Sequence, residues 1–133
     1  MLMVDTSVWV DFFNGASTRQ TQLLQARLGR DMVVLGDLIL TEILQGFKAD
    51  RPFKQAREAL REFPVLALVG EDMALQAAIH YRMLRKKGVT IRKTIDVWIA
   101  TYCIQENIPL LYSDKDFDPM VRHLGLKNAC INH

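Results

Sequence analysis

The chain has 133 residues, enough for one compact domain and too few for two. Half of its residues are hydrophobic, which excludes disorder as a property of the whole chain. Its 17 Lys and Arg against 15 Asp and Glu leave a formal net charge of +2, which excludes a generic polyanion coat. Placement of the charge therefore carries more information than its sum.

Short apolar runs alternate with amphipathic stretches along the chain. Met1–Val4 reads as a strand, with Asp5, Thr6 and Ser7 where a helix would begin. The helix Val8–Asn14 closes at Gly15, and Gln20–Leu28 closes at Gly29. Met32–Leu35 is a second strand. Asp37 can cap a helix through Phe47, and Pro52 can open another ending near Phe63. Val65–Val69 is a third strand. A long helix starts at Glu71 and Asp72, runs to Lys87 and stops at Gly88. Thr94 or Ile95 begins a further helix through Glu106, Leu110–Tyr112 is a buried strand, Asp116–Leu124 a short helix and Ala129–Ile131 a last strand.

Strands alternating with helices imply the α/β class, with a mostly parallel sheet covered on both faces. No repeat, low-complexity tract or linker divides the chain, so one domain over residues 1–133 is expected. The strand order stays open. Cys103 and Cys130 form no C-x-x-C pair and supply no zinc spacing; Cys103, in an apolar helical stretch, reads as a buried reduced thiol. No apolar run reaches the ~18 residues of a membrane span and the N-terminus shows no signal-peptide pattern, so a cytoplasmic protein without a membrane partner is expected.

Ligand sites in open α/β sheets form beyond the carboxyl ends of the strands. Asp5 ends the first strand in this way and Asp114 follows Leu110–Tyr112. Asp96 falls in the first turn of its helix, and Glu42 is isolated in the apolar stretch Leu38–Leu44. Each acid also has a structural explanation. Asp96 suits the helix dipole behind a Thr94 cap, Asp114 and Asp116 can cap the next helix, Asp5 can sit in a turn and Glu42 on a helix flank. If these acids converge, two carboxylates ~4 Å apart repel by ~4 kcal/mol at an effective dielectric of 20. Such a cluster needs protons or a cation, and all-oxygen ligands select Mg²⁺ or Mn²⁺ over Zn²⁺.

Four segments together, Met3–Trp9, Glu42, Thr94–Ala100 and Leu111–Phe117, resemble the PIN-domain ribonucleases, most of all the VapC toxins of prokaryotic toxin–antitoxin pairs. The similarity spans nearly the whole chain. It implies a three-layer α/β/α sandwich, a Mg²⁺- or Mn²⁺-dependent endoribonuclease, a cognate antitoxin partner and a homodimer. By motif match, Asp5, Glu42, Asp96 and Asp114 become the acidic catalytic quartet. Asp5, Asp96 and Asp114 would be metal ligands, Glu42 would act through water, and Thr6, Ser113 and Asp116 would be accessory. Hydrolysis of an RNA phosphodiester, in tRNA or rRNA, follows from the same resemblance. With no His at these positions, the base would be a carboxylate or the hydrated metal itself.

Cations should stand near acids that meet a polyanion. Residues 73–95 contain no acid but six of the 17 cations: Arg82, Arg85, Lys86, Lys87, Arg92 and Lys93. A solvated helix end explains some of them; beside a nuclease motif, Arg85, Lys86, Arg92 and Lys93 are candidates for contact with RNA phosphates. Trp9, Phe12 and Phe13 have the spacing of core or partner packing rather than of a base-stacking platform. His80, His123 and His133 show no ligand spacing, and Met73, Met83 and Met120 read as core filling. Other readings are a stand-alone PIN nuclease of RNA processing, a phosphoryl-transfer enzyme with an aspartyl nucleophile and a non-catalytic binding module. The second of these wants an acid two residues beyond Asp5, where Ser7 stands. The third leaves Glu42 unexplained.

Overall fold

The structure, a computed structural model, describes residues 1–130. Its strands are β1 (Leu2–Val4), β2 (Val33–Gly36), β3 (Val65–Leu66) and β4 (Leu110–Leu111). They lie in the order β3-β2-β1-β4 and every pair is parallel, with Leu2 beside Val33, Met3 beside Leu110 and Leu35 beside Val65. All residues of β1, β2 and β4 are buried. Unbroken apolar runs are what strands covered on both faces require.

Between the strands lie α1 (Thr6–Phe13), α2 (Arg19–Arg27), α3 (Asp37–Gln45), α4 (Asp50–Leu60), α5 (Glu71–Lys86) and α6 (Thr94–Glu106). After β4 come a 3₁₀ turn (Lys115–Phe117) and α7 (Asp118–Leu124). The chain steps outward from β1 to β3, then returns past both to place β4 on the far side of β1. Right-handed crossovers therefore put α1–α4 on one face and α5 and α6 on the other. Packing agrees, since α3 meets α1 and α4 while α5 meets α6 and α7. The direction of winding reverses between β1 and β4, and the carboxyl ends flanking such a reversal are where ligand sites concentrate in open α/β sheets.

Several boundaries differ from the sequence reading. Asp37 is the first residue of α3 rather than its cap; its Oδ1 accepts from the Leu38 amide at 2.8 Å and the Leu68 amide at 3.1 Å. Gly36 holds the cap position, because a Cβ there would overlap the Leu68 side chain. β3 keeps only two residues, since Leu68 turns into the core while Ala67 and Val69 stay exposed. The expected helix Asp116–Leu124 is divided into the 3₁₀ turn and α7, with Pro119 near the start of α7 where its missing N–H costs nothing.

No strand forms at Ala129 and Cys130, which lie in a turn; Asn128 makes a single parallel bridge to Leu110, and Ile131 lies outside the described residues. Met120 is fully buried, but Met83 is 42% exposed, contrary to a role in the core. Trp9 is buried, stacked on Phe13 at 5.9 Å and tilted against Phe63 at 5.2 Å, so this aromatic group is core packing.

Candidate metal centre

Asp5 stands where β1 ends. Its amide donates to the Leu111 carbonyl at 2.8 Å, which ties the ends of β1 and β4 together. Asp5 occupies the cap position of α1 but its side chain makes no cap hydrogen bond; it accepts from the Ser7 hydroxyl at 3.2 Å. That leaves a carboxylate on a residue only 5% exposed at the carboxyl end of β1.

The cap of α6 is Lys93, not Thr94, and it makes no side-chain cap hydrogen bond. Asp96, one turn in, is buried, and its Oδ2 has no hydrogen-bond partner among the described residues. An unpaired buried acceptor of this kind costs roughly 1–3 kcal/mol, so it marks a place where something other than folding sets the residue.

Asp114 does cap the 3₁₀ turn, its Oδ1 accepting from the Asp116 amide at 2.9 Å. The tight turn folds Asp116 back beside it. One carboxylate oxygen from each of Asp96, Asp114 and Asp116 lies within 4.8 Å of the others. Glu42, half-buried on α3, accepts from the Thr6 hydroxyl at 2.8 Å.

The electrostatics follow the geometry. Burial, with the Asp5, Asp114 and Glu42 charges adding to it, pushes the Asp96 carboxyl up to about 7 against the pull of Lys93. Asp5 rises to about 6, chiefly by burial and further by Glu42, while hydrogen bonding at Thr6 and Ser7 opposes. An all-oxygen donor set, an unpaired buried oxygen and carboxylates that resist ionising side by side fit a hard divalent cation.

Asp116, read from sequence as accessory, belongs to the trio, whereas Asp5 is not one of its members and acts on Asp96 through charge. The Ser113 hydroxyl is buried without a partner among the described residues. Arg92 pairs with Asp116 at 3.3 Å although its own side chain is 80% exposed. Arg85 and Lys86 stand exposed at the end of α5.

Sequence reasoning missed a network behind the trio. The Tyr112 hydroxyl donates to Asp118 at 2.7 Å and accepts from Asn128 at 3.1 Å. It clamps both sides of the turn that carries Asp114 and Asp116. No periodicity signals such a contact; the only trace was a tyrosine closing a buried strand. His80 Nδ1 lies 2.8 Å from the hydroxyl of buried Thr101, linking α5 to α6.

A family model described as PIN domain matches residues 2–122. The chain belongs to the PIN domain family, and its curated relatives are named as VapC ribonucleases. Ribonuclease VapC11 of Mycobacterium tuberculosis is 29% identical over 133 residues, spanning 97% of this chain and 98% of that protein. The fold is similar to VapBC2 of Rickettsia felis, solved with a DNA fragment from its promoter (TM-score 0.77, 18% identity, 96% of each chain). It is also similar to FitAcB of Neisseria gonorrhoeae (TM-score 0.75, 15% identity, 100% of each chain).

Proposed function

We propose that residues 1–133 act as a single PIN domain, a metal-dependent endoribonuclease that is the toxin of a toxin–antitoxin pair. The observation that carries this reading is Asp96, buried with an unpaired oxygen beside Asp114 and Asp116. Asp5, Asp96 and Asp114 are the proposed ligands, with Asp116 joining them, and the bound ion is Mg²⁺ or Mn²⁺. The ion, when bound, supplies charge neutralisation at the scissile phosphate and a more acidic water. Glu42, held by Thr6, would act through water as the base, and Ser113 would be accessory. Arg85, Lys86, Arg92 and Lys93 hold the phosphates of an RNA strand, tRNA or rRNA, against the repulsion of the acids.

The VapBC neighbours support a protein antitoxin as partner. Leu75, Ile79 and Met83 form an exposed apolar stripe along α5, which supports a homodimer through this face. No helix among the described residues is long and apolar enough to cross a membrane. With Cys103 and Cys130 both free thiols, the cytoplasm is the proposed compartment. Mapping RNA ends in cells after induced expression tests the activity. Defined new ends are expected with the native chain and none with Asp5→Asn; identical ends from both would overturn it.

A further inference from the structure

A second feature lies on the face of α6 turned away from Asp96. Between α5 and α6 runs a cleft of about 430 Å³, lined by Ala74, Ala77, Ala78, Tyr81 and Trp98. Both aromatic residues are only half-buried. Thr94 and Arg85 also line it, with the Arg85 guanidinium 5.7 Å from the centre of the Tyr81 ring.

We propose that this cleft receives one unpaired base of an RNA strand, stacked against Trp98 and Tyr81, with Arg85 on the adjoining phosphate. Three observations carry the proposal. Two half-buried aromatic side chains, Tyr81 and Trp98, line the cleft beside small alanines, and any base can stack on such side chains. The rim is cationic, since residues 73–95 hold no acid at all. The cleft also shares α6 with Asp96, since Thr94 and Trp98 stand two positions either side of it and so on the opposite face of the same helix. A strand held at the acids has only to pass around the first turn of α6 to reach it.

Two other clefts among the described residues lack this combination. The one lined by Phe13, Phe47 and Pro52 has no charged lining residue, and the one lined by Leu66, Tyr102 and Glu106 carries an acid. The base cleft would make the enzyme select single-stranded or looped RNA at a position one helix diameter (~10 Å) from the cut, so it deepens the ribonuclease reading and rests on it.

The test is fluorescence anisotropy of a short labelled single-stranded RNA of mixed sequence, titrated with the whole protein in EDTA, alongside the same RNA annealed to its complement. Trp98→Ala and Tyr81→Ala should each weaken single-strand binding about tenfold, with Trp98→Phe and Tyr81→Phe largely restoring it. Neither Ala variant should affect the duplex. Arg85→Ala should lower the slope of log affinity against log salt by about 0.9 or less. Far-UV circular dichroism and sedimentation accompany each variant. Folded Ala variants that bind the single strand as the native chain does would overturn the cleft while leaving the ribonuclease reading intact. Variants that instead change the oligomeric state would show a protein contact surface and overturn it too. A native chain that binds and cuts no RNA would overturn both readings together.

Discussion

The Thr6 hydroxyl donates to Glu42 Oε1 at 2.8 Å, joining the first residue of α1 to the middle of α3 across 36 positions of sequence. The bond fixes a half-buried carboxylate that would otherwise swing on a flexible side chain. Hydrogen bonds to a charged group contribute roughly 1.5–3 kcal/mol, so Thr6→Val should reduce RNA cleavage about tenfold or more. Thr6→Ser should retain most of it. Equal activity of Thr6→Val and the native chain would show that Glu42 needs no positioning.

Asp96 makes the metal-free protein less stable as pH rises. Its carboxyl titrates near 7 when folded, against an ordinary 3.8, because burial and the neighbouring acids disfavour the charge. Below pH 3.8 both states hold the proton and there is no penalty. Between 3.8 and about 7 the unfolded chain gives up its proton first, so stability falls across that window and the loss persists above it. Asp96→Asn should therefore stabilise the metal-free protein at pH 8, by on the order of 1–3 kcal/mol, with the gain shrinking towards pH 4. Denaturant unfolding at the two pH values in EDTA checks this; an Asn variant no more stable at pH 8 would contradict the electrostatics.

Divalent cations should act in the opposite direction. At a concentration one hundred times its dissociation constant, a bound ion adds about 2.7 kcal/mol to stability. Mg²⁺ or Mn²⁺ should raise the melting temperature of the native chain and leave Asp96→Asn unmoved, whereas Ca²⁺-free EDTA buffer should abolish cleavage. A thermal scan showing the same shift in both proteins would place the ion elsewhere.

Arg92 touches Asp116, yet the pair is exposed on the arginine side. Exposed ion pairs contribute about 0–1 kcal/mol, so Arg92→Ala should hardly alter stability. Its larger effect should fall on RNA, where loss of one phosphate contact lowers the salt slope by about 0.9. An unchanged slope would confine Arg92 to holding Asp116.

Tyr112→Phe should cost about 1–2 kcal/mol, because Asp118 and Asn128 both lose the hydroxyl between them. Metal affinity should fall with it, as the turn bearing Asp114 and Asp116 loosens. Unfolding curves and cation titrations measured together separate the two effects.

Local chemistry accounts for what the sequence determined unaided. Apolar runs ending at Asp5 and Asp114, caps and glycines at helix ends, and an acid isolated in the apolar stretch around Glu42 are all set within a few residues. They sufficed for the alternation of strands and helices, the parallel sheet and the choice of candidate acids. Tertiary structure alone decided the order β3-β2-β1-β4, which puts the ends of β1 and β4 side by side. It also decided that Asp116 joins Asp96 and Asp114, that Lys93 rather than Thr94 caps α6, and that Tyr112 braces the turn. Those facts depend on contacts between residues far apart in the chain, which leave no periodic trace. The near-balance of 17 cations and 15 acids is the clearest instance. Its sum is uninformative; folding divides it into a partly buried acidic cluster and a set of exposed cations, because only folding sets the distances on which charge interactions depend.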